Sequence, residues 1–156
     1  MSDSLCKDLS LNLRNYVKAK LPYLEEAVKL RIMEKNFSVC KLPSADNVEW
    51  QREFVFFART DDEISLVCET EHVPPHALRV ERGWKAMRIC GVLDFGETGI
   101  IARLSSILAA NGISVFVVST YDTDYVLVRS AVLEKTVRCL EENGYVFERE
   151  APEGRF

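Results

Sequence analysis

Residues 112–129, GISVFVVSTYDTDYVLVR, constrain this chain most. Two runs of β-branched and aromatic residues flank a polar corner, STYDTDY. Apolar runs bounded by turn formers read as paired strands. The corner places Ser119, Thr120, Asp122, Thr123 and Asp124 at one end of that pair. Upstream, residues 53–68, EFVFFARTDDEISLVC, repeat the design without a gap. Laid over one another, Phe56 and Phe57 fall on Val117 and Val118, Asp61 on Asp122, and Leu66 and Val67 on Leu127 and Val128. Self-similarity at a fixed offset marks duplicated modules. The pattern predicts two related β-rich units rather than one irregular domain.

A chain of 156 residues has room for two small units. The net charge of −4 and the absence of a Lys/Arg cluster argue against a nucleic-acid partner. No apolar run is long enough to cross a bilayer. Asp3, Lys7 and Asp8 interrupt the place of a signal sequence, so the expected location is cytoplasmic. The cysteines (Cys6, Cys40, Cys68, Cys90 and Cys139) lie far apart with no CxxC. They read as buried free thiols, with no metal or redox motif.

Leu5, Leu9, Leu13, Tyr16 and Val17 recur at helical spacing and predict an N-terminal helix over 4–20. Residues 29–33 and 37–42 read as a strand hairpin. The first copy of the paired strands follows at 54–59 and 64–69. Pro74 and Pro75 forbid a long helix at 71–77. A short closing strand is placed at 78–81, with Gly83 as the boundary. Beyond it come a strand at 84–91, a helix at 98–110, strands at 113–120 and 125–129, a helix at 131–143 and a strand at 145–148. Ile101, Leu104, Ile107 and Leu108 form the first helix's apolar face, and Val132, Val137, Cys139 and Leu140 the second's. That order is βαββαβ, the ferredoxin-like arrangement. The fold class is therefore α+β, with two such units in tandem and the first degenerate, lacking about one helix. The divisions are an N-terminal extension at 1–28, the degenerate unit at 29–83, the complete unit at 84–150 and a tail at 151–156.

Catalytic constellations are absent from the sequence. His72 and His76 flank the proline pair, with no third metal ligand nearby, and read as solvent-exposed. Paired acids at strand corners are explained by turn chemistry. The chain is read as a non-enzyme without cofactor. The best candidate site is 94–100, DFGETGI, where a strand meets a helix N-terminus. Free backbone N–H groups there hold a carboxylate, and Gly96 and Gly99 allow close approach. The loop is expected near the second strand's start at Ser114 and Val115. A zwitterion bridging from it to Asp124 or Asp122 is an amino acid. The plainer reading makes the glycines a tight turn and Thr98 a helix cap, and spacing alone favours it.

Residues 93–128, LDFGETGIIARLSSILAANGISVFVVSTYDTDYVLV, resemble the ACT domain, the small-molecule-sensing module of amino-acid metabolism. The likeness extends over about 29–148 and leans toward small bacterial tandem-ACT proteins and the CASTOR-type arginine sensors. It implies regulation rather than catalysis, with an amino acid (arginine or another) bound between paired ACT units. By position it implies a ligand site of Glu97, Thr98, Gly99 and Ile100 in a covering loop. Ser114 and Val115 then touch ligand backbone groups, and Asp124 faces the cationic end with Tyr121 beside it. Glu63 takes the place of Asp124 in the first unit. The arginine sensors carry four such units and this chain two. A homo-oligomer is therefore implied, with output through a separate regulated protein. The competing reading is a ligand-free interaction and dimerisation module.

Overall fold

The computed structural model describes residues 27–91 and 99–148. In chain order the strands are β1 (Lys29–Ile32), β2 (Phe37–Leu42), β3 (Phe56–Arg59), β4 (Ile64–Glu69) and β5 (Arg79–Ile89). Helix α1 (Ile100–Ala110), β6 (Phe116–Ser119), β7 (Asp124–Arg129), α2 (Leu133–Glu141) and β8 (Val146–Glu148) follow. Single-turn 3-10 segments, Thr70–His72 and Ser130–Val132, lead out of β4 and β7. The fold is mixed α+β. The expected N-terminal helix and the tail lie outside the described residues.

β5 serves two neighbourhoods. Its first half pairs with β2 in the order β3-β4-β2-β5. Its second half pairs with β7 on one side and β1 on the other, and β6 and β8 complete those flanks. At Trp84 the two neighbourhoods overlap, since Phe37 and Arg129 both face it.

Two expectations are corrected here. Residues 29–33 and 37–42 form no hairpin: β1 runs antiparallel to β5 and parallel to β8. Nor does Gly83 divide two strands. One strand passes through it, with Phe37 opposite Trp84 and Val39 opposite Glu81, so β5 carries an extra residue there. Gly83 takes φ +80°, a conformation that L side chains resist, and the bulge bends the strand without ending it. The Arg129 guanidinium locks the bulge, stacking 4.1 Å over the Trp84 ring while donating to the Arg82 carbonyl (2.8 Å) and the Glu81 carboxylate (2.9 Å).

The internal repeat is real in backbone terms, but its offset is 60 residues rather than 61. Thr60 N–H donates to the Glu63 carbonyl and Thr120 N–H to that of Thr123. Phe56 pairs with Val67 as Phe116 pairs with Leu127. Matching apolar residues misleads by one because both faces of these strands are apolar, so a slip leaves the pattern plausible. Ile64, not Glu63, therefore occupies the place of Asp124.

Period-two alternation sorts the side chains into three cores. On one face Trp84, Ala86, Leu127, Phe37 and Val67 gather with Phe56, Phe116 and Tyr125. Phe56 of β3 reaches Tyr125 of β7, ring centroids 5.0 Å apart, so the sheet curls until its distant strands meet. On the other face Met87, Ile89, Val126 and Val128 lie beneath α1 and α2. Leu104, Leu108 and Leu140 are wholly buried there, each worth on the order of 1.5–3 kcal/mol. The remaining stretch of that face, Cys40, Leu42, Leu66 and Cys68, is covered by loops through Val48, Val55 and Val73. Cys40, Cys68 and Cys139 are buried free thiols, as expected, and Cys90 is half-buried.

Both helices begin later than expected, α1 at Ile100 after a left-handed Gly99 and α2 at Leu133 after a 3-10 turn. Thr136, overlooked as a core position, is fully buried because its hydroxyl is satisfied by the Val132 carbonyl. The histidines are half-buried rather than solvent-exposed, with His72 between Glu49 and Glu69 at 3.7 and 3.8 Å.

Gly83→Ala meets no neighbouring atom, so its cost is backbone strain alone. Chemical denaturation should show a loss of about 1–2 kcal/mol; an unchanged midpoint would mean that the bulge is not held at positive φ.

Candidate functional site

The β6–β7 corner is built by threonines. The Thr120 hydroxyl and N–H both donate to the Thr123 carbonyl, closing the turn. Thr123 is buried and donates its own hydroxyl to the Ile89 carbonyl at 2.6 Å, at the end of β5. This anchor fastens the corner to the strand that feeds the segment before α1. Nothing in the residue pattern singles out Thr123 beyond its turn propensity.

Gly99 stands at the N-terminus of α1 with φ 86° and no side-chain cap. The first N–H groups of a helix lack intrahelical acceptors and carry the positive end of its dipole. Since α1 leads away from the Ile89 end and β6 returns toward it, Gly99 and the Thr120–Asp124 corner share one end of the sheet. Asp124 is half-buried opposite Ser119, and Tyr121 is 80% exposed. The Ile100 side chain points into the core, leaving only its backbone for a ligand.

Ser114 and Val115 do not join this group within one chain. They follow the C-terminal end of α1, a helix of eleven residues and about 16 Å. The described end of the expected loop, Gly99 and Ile100, therefore does not lie near the start of β6: helix and strand are antiparallel, which puts those two points at opposite ends. Ser114 is exposed there, and Val115 packs partly on the helix-covered core. Glu97 and Thr98 lie outside the described residues. Among the described residues no group of three metal-ligating side chains occurs, and no helix is long and apolar enough to cross a membrane.

A second feature lies between the edge strands β3 and β6. A groove of about 370 Å³ is bounded by Phe56, Phe57 and Ala58 on one side and by Phe116, Val117 and Val118 on the other. The sequence did not reveal it, because it arises from the curl of the sheet.

The family model for the ACT domain matches residues 79–142, which span β5 through α2. Residues 79–142 are an ACT domain. Among solved structures it is similar to a protein of Agobacterium tumefaciens at 36% identity and a TM-score of 0.71, over 84% of this chain and 99% of that one. It is also similar to a Vibrio cholerae protein of unknown function, at 20% identity and a TM-score of 0.62, over 81% and 96%. The ligand-free regulatory subunit of Thermus thermophilus aspartate kinase shares the fold at 10% identity and a TM-score of 0.55, over 75% and 98%. ACT domains are regulatory modules that commonly bind amino acids.

The Thr123 anchor is testable by itself. Thr123→Val keeps the shape and removes the buried hydrogen bond, and urea unfolding should register a loss of about 1–2 kcal/mol. Wild-type stability in this variant would mean that the corner is held by the ladder alone.

Proposed function

We propose that this chain is an amino-acid-sensing regulatory protein made of two ACT units. It binds its ligand between units contributed by two copies and acts through a separate protein. The observation that carries this reading is the pairing at one sheet end of an uncapped helix N-terminus at Gly99 with a carboxylate at Asp124. The first suits a ligand carboxylate and the second an ammonium or guanidinium group. Ser114 and Val115 at the far end of the same unit supply the other wall when a second copy packs against the first. On the family likeness, Glu97, Thr98, Gly99 and Ile100 would supply the loop that covers the ligand, with Tyr121 beside Asp124.

The strand order supports the two-unit reading. β3, β4 and β2 stand side by side as β6, β7 and β5 do, with loops where helices stand in the second unit, and the place that the first half of β5 takes beside β2 is taken beside β5 by β1. The first unit then spans about 37–84 and is inserted after β1, which lies in the second unit's sheet. With Ile64 in the place of Asp124, the first unit has no carboxylate there, and the second unit carries the site.

The edge groove favours one further reading, a module that docks a protein segment without any ligand. Calorimetric titration with the standard amino acids separates the two. We expect saturable heat with at least one of them. If that ligand is cationic, Asp124→Ala should weaken it by about 10- to 100-fold, the loss of one charge-assisted hydrogen bond. Heat from none of them at millimolar concentration would overturn the sensing role, and an unchanged affinity in Asp124→Ala would remove that residue from the site.

A further inference from the structure

The face of the sheet turned away from α1 carries an arrangement that folding alone does not explain. Arg31 of β1 stands directly opposite Arg88 of β5. Strand alternation puts both on the face of Trp84 and Ala86, away from Met87 and Ile89. Glu148 faces Arg31 from β8, and Tyr125 faces Arg88 from β7, so one row crosses four strands. Like charges directly opposite one another in a sheet are destabilising.

The described residues neutralise them only in part. Glu148 is shared, 3.5 Å from Arg31 and 3.8 Å from Lys29, and it also holds the Cys90 thiol. Among the described residues Lys29 and Arg31 share the Glu148 carboxylate and Arg88 stands beside Arg31 without one, a local surplus of two positive charges. No ion pair or hydrogen bond reaches the Arg88 side chain from the described residues. The Nε atoms of both Arg31 and Arg88 are buried without an acceptor. A buried donor left unsatisfied costs about 1–3 kcal/mol, so two of them beside a pair of like charges that share one carboxylate form a costly structural element.

We propose that Arg31 and Arg88 form a binding site for a small dianion, a phosphate ester or a dicarboxylate, on the face of the sheet opposite α1 and α2. Guanidinium groups offer planar forks of N–H donors that match oxyanion geometry. A doubly charged oxyanion held by the terminal nitrogens of the two would cancel the surplus, with Lys29 at its margin. Because Asp124 lies at a neighbouring position of opposite strand parity, on the helix-covered side, this site is separate from the amino-acid pocket.

The test is thermal unfolding of the full chain in sodium phosphate and in disodium succinate, against sodium chloride at equal ionic strength. Wild type should gain about 5 °C or more at a hundredfold excess of anion over its dissociation constant. Arg88→Gln and Arg31→Gln should lose the gain, while Asp124→Ala and the surface variant Arg138→Gln keep it. In chloride alone, Arg88→Gln should melt at or above the wild-type temperature, because it removes the repulsion. A gain in phosphate alone assigns a phosphate ester, a gain in succinate alone a dicarboxylate, and equal gains an oxyanion site selective for charge. No gain beyond chloride, the same gain in Arg88→Gln, or a lower melting temperature for Arg88→Gln in chloride would overturn the proposal. Should Arg88→Gln fail to fold, Arg88→Lys, which keeps the charge and loses the fork, must lower the gain for the proposal to stand.

Discussion

The structure depends on a single strand that is shared. β5 spends its first half beside β2 and its second between β7 and β1, and the bulge at Arg82 and Gly83 lets one continuous backbone satisfy both sheets. Arg129 fixes that bend from β7, capping Trp84 and tying the carbonyl and carboxylate of the segment before it. Because β5 belongs to both halves, neither buries its apolar face alone. The middle core draws Phe37, Phe54 and Phe56 from one side and Phe116, Tyr125 and Leu127 from the other. Such mixing makes cooperative unfolding the expected behaviour.

This economy explains which parts of the fold were legible in the sequence. Helix α1, the β6–β7 pair and α2 follow local rules, an apolar stripe at helical spacing and threonine-rich turn chemistry, and they stand close to where the residues put them. The strands around Gly83 do not. A glycine between two apolar runs reads as a boundary, and only the opposing Phe37 and Val39 reveal that it builds a bulge inside one strand. β1 is likewise invisible as a partner of β8, since pairing across more than a hundred residues leaves no local trace. The repeat was visible, but its offset slipped by one because the strands are apolar on both faces. The turn hydrogen bonds of Thr60 and Thr120, not the apolar matches, set the true correspondence.

The candidate site was legible in its residue types and illegible in its geometry. Gly99 and Asp124 signalled themselves by turn and cap chemistry, and they share one end of the sheet. Ser114 and Val115 are grouped with them by the expected strand topology and by family likeness, whereas chain direction carries those two residues to the opposite end. Thr123 was missed because its role, a bond to the Ile89 carbonyl, is a tertiary one. Arg31 and Arg88 passed unnoticed because each stands singly in an apolar run, and only strand pairing brings them face to face.

Because Ser114 is separated from Gly99 and Asp124, the proposed amino-acid pocket needs walls from two copies of the chain. Complementation measures this directly. Chains bearing Ser114→Trp and chains bearing Asp124→Trp, each unable to bind, are mixed, allowed to exchange and titrated with the ligand. Recovery of about a quarter of the wild-type sites at wild-type affinity is predicted, because half of the dimers are mixed and each of those holds one intact site of two. A mixture that binds no better than its components would contradict the shared pocket and place the whole site within one chain.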